Sequence, residues 1–230
     1  MSKHFFVISA LILGVVLPAV ASDRDDDVAR INAATQVFQE IMDTPDNSIP
    51  LELLETAKCI AIIPGEKKLA LGIGGNYGKG LATCRTANGW SAPLFLAVGG
   101  GSVGFQIGGS STDIVMLFMN DQALQSLMKD KFRIGADASA AAGPVGRQAA
   151  AGTDVKLNAQ ILTYARSKGA FAGVSLDGAV VQPDQSGDRA MYGANVTPKE
   201  ILNGPVPVPE SAKPLLKNIT KYVREAKRQS

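Results

Sequence analysis

The side chains able to do chemistry in this chain are few, and their absences are as informative as their presence. Histidine occurs once, at His4. That position lies in an apolar leader, and without it neither a serine-histidine nor a cysteine-histidine nucleophile can operate. The commonest zinc ligand is then missing as well, and two cysteines, Cys59 and Cys84, do not make a zinc site alone. No metal and no cofactor is expected. Carboxylates remain: Asp113, Asp121, Asp137, Asp154 and Asp177 could supply an acid and a base on either side of a sugar, which requires two carboxyls roughly 5 to 9 Å apart. Asp121 and Asp177 already read as a cap and a turn residue. An aspartate-dependent hydrolase is therefore the weakest alternative, and the chain is expected not to be an enzyme.

The cations are distributed more suggestively. Between Glu66 and Asp113 there is no carboxylate, while Lys67, Lys68, Lys79 and Arg85 all fall in that gap. An anion would be tolerated there. A second set, Lys217, Lys221, Arg224, Lys227 and Arg228, surrounds a C-terminal helix whose other face carries Leu215, Ile219, Tyr222, Val223 and Ala226. Such a helix can lie on an anionic membrane or dock on its own domain. The narrow apolar face, without Trp or Phe, favours docking. The stretch Gly99-Gly100-Gly101-Ser102-Val103-Gly104 has the letters of a dinucleotide fingerprint, but strand-like residues follow it instead of the helix that would hold a pyrophosphate. It is rejected on that context.

These residues must be placed by the surrounding elements. Lys3 and His4 precede an apolar run from Phe5 to Leu17, Pro18 breaks it, and Ala19-Val20-Ala21 has the small-x-small pattern of a cleavage site. Residues 1-21 read as a secretory signal peptide, too short for an ordinary span. The expected location is the periplasm or envelope. Removal of the leader leaves 22 basic against 21 acidic residues, a balance that argues against a nucleic-acid binder. Charge is nevertheless uneven, with net −4 over Ser22 to Asp43 and net +5 over Ser211 to Ser230. In an oxidising compartment Cys59 and Cys84 could pair if their strands are adjacent, or stay as buried thiols.

Residues 22-203 read as one α+β domain, followed by a Pro-rich spacer at 204-210 and the basic helix at 211-230. Val28, Ile31, Thr35, Phe38 and Met42 mark an amphipathic helix, and Pro50 opens a short second one. Half of the 24 glycines, 12, lie between Gly72 and Gly109, interleaved with apolar residues at strand-like spacing. Cys59 to Ile63 reads as a buried strand ended by Pro64-Gly65. A meander follows, with strands near 69-73, 78-85, 93-98, 102-108 and 112-118 and turns at Gly75-Asn76, Asn88-Gly89, Gly99-Gly100 and Gly109-Ser110. Short connections make such neighbours antiparallel. The expected fold is thus a largely antiparallel, glycine-rich sheet or barrel-like meander covered by helices. Asn120-Asp121 caps a helix to about Phe132, Val155 to Ile161 alternates as a strand, Asp177-Gly178 signals a hairpin, and Thr197 to Glu200 has the capping-box pattern.

Taken in order, AKCIAIIP, GIGGNYGKG, CRTANGWSAPLF, SVGFQIGGSSTDIVML, GPVGR, and YARSKGAFAGVSLDGAVV followed by MYG resemble the SYLF lipid-binding domain family over roughly Ile49 to Leu202. The resemblance implies a non-enzymatic domain that binds phospholipid membranes, phosphoinositides in eukaryotic members and actin filaments in some. It makes anionic phospholipid the expected partner, with Lys67, Lys68, Lys79 and Arg85 as headgroup contacts and Arg147 next. Those relatives carry a basic amphipathic segment ahead of the domain, whereas Asp23 to Asp43 is acidic here, so that contact does not transfer. An exported chain would not meet cytosolic actin, and actin is not expected as a partner. The alternative is an envelope structural or protein-interaction domain without lipid preference.

Overall fold

The computed structural model describes residues 19-44, 48-71, 73-102, 110-146, 159-167 and 170-229, with side chains described throughout these except at 19-22, 66-76 and 101-111. Its centre is a sheet. Strands β1 (Cys59–Leu71), β2 (Ile73–Thr86), β3 (Gly89–Trp90), β4 (Leu94–Ser102), β5 (Ser110–Phe118), β6 (Phe132–Arg133), β7 (Ala140–Ala142), β8 (Ile161–Ser167), β9 (Ala170–Gly173) and β10 (Val180–Pro183) join in the order β6-β10-β4-β2-β1-β5-β8-β7. β3 pairs with β2 and β9 with β8. Only β7 and β8 run parallel among these pairs. The sheet curls into a half-barrel and, with the six α-helices among the described residues, gives the α+β class expected from the sequence.

The meander differs from the expected one where glycine had been taken for punctuation. β1 does not end at Pro64-Gly65 but continues to Leu71, and its pairing with β2 shifts register between Ile62 and Lys67. Gly65 takes φ 59°, a value that favours glycine, at this bulge. Gly80 lies opposite it. A Cβ there would come within 2.2 Å of the Ile62 carbonyl oxygen, so only glycine lets the two backbones approach. Gly75-Asn76 and Gly99-Gly100 are likewise strand, paired as Gly75↔Leu69 and Asn76↔Gly100. Asn88-Gly89 does turn, joining β2 to β3. Of the expected turn at Gly109-Ser110, Gly109 falls outside the described residues and Ser110 already belongs to β5; most of the expected strand at 102-108 and most of Val155 to Ile161 also fall outside.

Asp177-Gly178 also turns, with Gly178 at φ 86°. The strands on either side do not pair with each other, however, because β9 stays on β8 while β10 crosses to lie between β4 and β6. A local turn signal names the bend and not the partner.

Helices cover both faces because alternate residues of each central strand point opposite ways. Ile60 and Ile62 of β1 enter one apolar core, together with α1 (Ala19–Met42), α2 (Leu51–Thr56) and α6 (Lys213–Gln229). Cys59, Ala61 and Ile63 enter the other, with α3 (Asp121–Leu127) and α5 (Pro198–Leu202). α4 (Gln185–Tyr192) follows β10, and its Tyr192 packs against both cores. Asn120 caps α3 by accepting from the Ala123 amide, and Thr197 and Glu200 form the full capping box of α5. α3 stops five residues before the expected Phe132, which belongs to β6. The 204-210 segment is no free spacer, since Val206 and Val208 are half-buried against the core.

Candidate functional site

The pairing of β1 with β2 places Cys59 directly opposite Cys84, Cα to Cα 4.0 Å, and the two are joined as a disulfide. Sequence offered the two thiols; register brings them together.

The same two strands carry the first set of cations, and the two whose side chains are described, Lys79 and Arg85, are each engaged within the fold. Lys67 and Lys68 pair through their backbones with Tyr77 and Asn76; their side chains lie outside the described residues, as does Arg147. Arg85 is committed to the fold. Its Nε donates to the Ala57 carbonyl at 2.7 Å, and Nη2 donates to those of Leu54 and Glu55 at 2.8 Å. It therefore satisfies carbonyls that the end of α2 leaves without partners, where a positive charge also suits the helix dipole. Its guanidinium lies 4.7 Å from the centre of the Trp90 ring. Burial pushes its pKa down, against the opposing charge of Glu55.

Lys79 is answered by a carboxylate from far along the chain. Its Nζ lies 2.8 Å from Asp184 Oδ2, which Arg30 Nη1 also reaches at 3.0 Å. Arg30 Nη2 in turn meets Asp27 Oδ1 at 3.2 Å, and Asp188 Oδ1 accepts from the Phe95 amide at 2.9 Å. Burial would raise Asp184, but its hydrogen bonds with Lys79 and Ser186 and the charges of Lys79 and Arg30 hold it down at about 2. Asp188 is pushed up to about 7, chiefly by burial, with Asp184 and Asp27 adding to the rise. The acid-free span of the sequence is thus not acid-free in space.

The second cationic set is arranged differently. α6 buries Leu215, Ile219, Tyr222, Val223 and Ala226, with Tyr222 edge-on to Phe38, ring centres 6.0 Å apart, and its hydroxyl donating to Asp43 at 2.6 Å. Burying side chains of this size stabilises by roughly 1.5 to 3 kcal/mol each, so the docked position is strongly preferred. Lys217, Lys221, Arg224, Lys227 and Arg228 are exposed, as is Lys213, which pairs with Glu210. At 100° per residue these six fall within an arc of about 120°, centred opposite the buried face and about 22 Å long. Lys213 was not among the residues expected from sequence, although its spacing to Lys217 continues the stripe.

The aspartates proposed for hydrolysis are occupied separately. Asp113 accepts from Arg166 and from the Gly65 amide, Asp121 pairs with Lys58, Asp137 accepts from the Arg133 amide and Asp177 from Ser175. Asp154 is outside the described residues. A cavity of about 500 Å³ lies between Arg24, Met191, Tyr192, Val196, Glu200 and the 205-209 segment. Its carboxylate is Glu200 alone, which does not supply an acid-base pair. No group of three or more metal-ligating side chains occurs among the described residues, and no described helix is long and apolar enough to cross a membrane.

Comparison with known families matches residues 99-222 to Ysc84, described as Las17-binding protein actin regulator. Protein YSC84 of Saccharomyces cerevisiae is 36% identical over 176 residues, 75% of this chain and 37% of that protein. LAS seventeen-binding protein 3 of the same species is 35% identical over 176 residues, 75% and 38% of the two. Human SH3 domain-containing YSC84-like protein 1 is 32% identical over 183 residues, 79% and 53%. The chain thus spans between about a third and a half of these relatives. LAS seventeen-binding protein 3 is named for binding and the family description for actin regulation, which gives no support to the expectation that excluded actin. Matched by the family model over more than half its length, this chain belongs to the Ysc84 family, the one its SYLF-like motifs anticipated.

Proposed function

We propose that this protein is a non-enzymatic domain that binds the surface of an anionic phospholipid membrane through the exposed face of α6, at the periplasmic or envelope side to which the leader directs it. The observation that carries this reading is the basic stripe opposite the docked face of α6. The apolar side chains stay in the core, so contact is electrostatic and peripheral rather than inserted. The Cys59–Cys84 bond supports an oxidising compartment. Lys67 and Lys68 on the β1–β2 hairpin remain candidate headgroup contacts alongside α6, with Arg147; Lys79 and Arg85 do not, because both are already engaged.

Sedimentation with vesicles of phosphatidylglycerol in phosphatidylcholine tests this directly. Binding is expected to rise with the anionic fraction and fall steeply with salt. The quadruple variant Lys217→Glu, Lys221→Glu, Arg224→Glu, Arg228→Glu should lose on the order of a hundredfold or more, given about 1 kcal/mol per basic residue near lipid. Undiminished binding by that variant would remove α6 from the site. The family description, which names actin regulation, supports a second reading in which the same stripe meets an actin filament. Co-sedimentation with filamentous actin, with no dependence on vesicle charge, would select it.

A further inference from the structure

One group of ionisable side chains lies away from the basic face of α6 and takes no part in it. Asp27 and Arg30 on α1, Lys79 on β2, and Asp184 and Asp188 at the start of α4 form a single cluster. The side chains of Asp27, Arg30 and Asp184 are only 2%, 12% and 8% exposed. Asp27 Oδ2 is buried without a hydrogen-bond partner. Gly187 makes the close approach possible, because a Cβ there would lie 3.0 Å from Asp27 Oδ1 and 3.1 Å from the Phe95 ring. Three carboxylates face two cations. Fully ionised, the cluster would bury an uncompensated negative charge, which is costly; one proton balances it.

We propose that this cluster is a proton-operated latch, in which one proton held among the buried carboxylates keeps the turns of α1 from Asp23 to Arg30 on the body of the domain, and its loss releases them. The charged and titratable groups facing it are Asp23, Asp27 and Arg30 from α1, Lys79 from β2, and Asp184, Asp188 and Tyr192 from α4; β4 contributes the Phe95 amide. Asp188, at about 7, is the group best placed to hold the proton, and burial raises Asp27 in the same direction. A raised carboxyl contributes stability that is complete below its ordinary value of 3.8 and is lost as pH rises through about 7. Asp184 acts oppositely and only below 3.8, so it is silent between pH 5 and 8. Arg24, on the same turns, forms a wall of the cavity with Met191, Tyr192 and Val208. Release of these turns would withdraw Arg24 from that cleft and remove one of its walls.

Hydrogen exchange of the full chain from pH 5 to 8, corrected for intrinsic rates, reads the latch. The opening constant of amides 23-30 should rise about tenfold per pH unit from 5 toward 7 and level off above it, close to a hundredfold in all, while β1 and β5 amides stay unchanged. Asp188→Asn retains an acceptor for the Phe95 amide and should flatten the profile. A flat wild-type profile would overturn the latch, and so would a rise shared equally by β1 and β5, which would mean a general loss of stability. A slope that survives in both Asp188→Asn and Asp27→Asn would do the same. If neither variant folds, the wild-type profile decides by itself.

Discussion

Two regions of this molecule are rich in positive charge, and they use it in opposite ways. On β2 each described cation is turned inward to a partner: Arg85 holds the end of α2 and Lys79 holds Asp184. On α6 the cations form a stripe facing solvent, while the helix is anchored by its other side. A lack of acids nearby in sequence therefore says little about a basic residue in a strand, whose neighbours come from distant segments. A basic residue on a helix is different, since its neighbours at three and four positions along are fixed by the helix itself.

If this division is right, the largest effect comes from an inward cation and falls on stability alone. Arg85→Ala removes hydrogen bonds to two α2 carbonyls and to that of Ala57 just beyond it, and the packing on Trp90. Hydrogen bonds to a charged group contribute about 1.5 to 3 kcal/mol each net of water, and water can reach part of the freed carbonyls in the variant, so a loss of about 3 kcal/mol or more is expected from urea unfolding. Vesicle binding by the folded protein should not change. A stable variant that lost binding would put Arg85 back in the site.

How much of this was legible in the sequence follows the same line. The docked face of α6 could be read at helical spacing from Leu215 to Ala226, and so could the caps at Asn120 and Thr197, because each depends on neighbours a few residues away. The sheet class was legible from short strands and short connections. Its register was not, because whether Pro64-Gly65 ends a strand or bulges it depends on Gly80 across the ladder. The buried cluster was illegible for the same reason: Asp27, Lys79 and Asp184 belong to three elements, and nothing in one predicts the others. The nearest signal was Asp27 and Arg30, one turn apart on α1.

A smaller effect separates Lys79 from the surface. It is half-exposed and pairs with a buried carboxylate, so Lys79→Met should cost about 1 kcal/mol at neutral pH. The sign of its pH dependence is definite. Asp184, held down at about 2, contributes stability that is present above 3.8 and lost as pH falls toward 2. Without Lys79 that depression shrinks, so the urea midpoint of Lys79→Met should fall less than that of wild type between pH 5 and pH 3. An equal fall in both proteins would show that Arg30 and Ser186 hold the carboxylate unaided.

The smallest expected effect is the one that distinguishes a charged surface from a fitted site on α6. Lysine offers a compact charge and arginine a planar fork, and the two exchange freely only where charge alone matters. Lys217→Arg, Lys221→Arg and Lys227→Arg together keep every charge of the stripe, and all three residues are exposed, so stability should change by less than about 0.5 kcal/mol. If α6 meets lipid as a diffuse cationic face, vesicle affinity should stay within about twofold of wild type, with the same salt dependence. A change of tenfold in either direction would mean that particular ammonium groups recognise particular phosphate positions. The stripe would then be a headgroup site with geometry of its own, and the contrast with the inward cations of β2 would be one of partner rather than of kind.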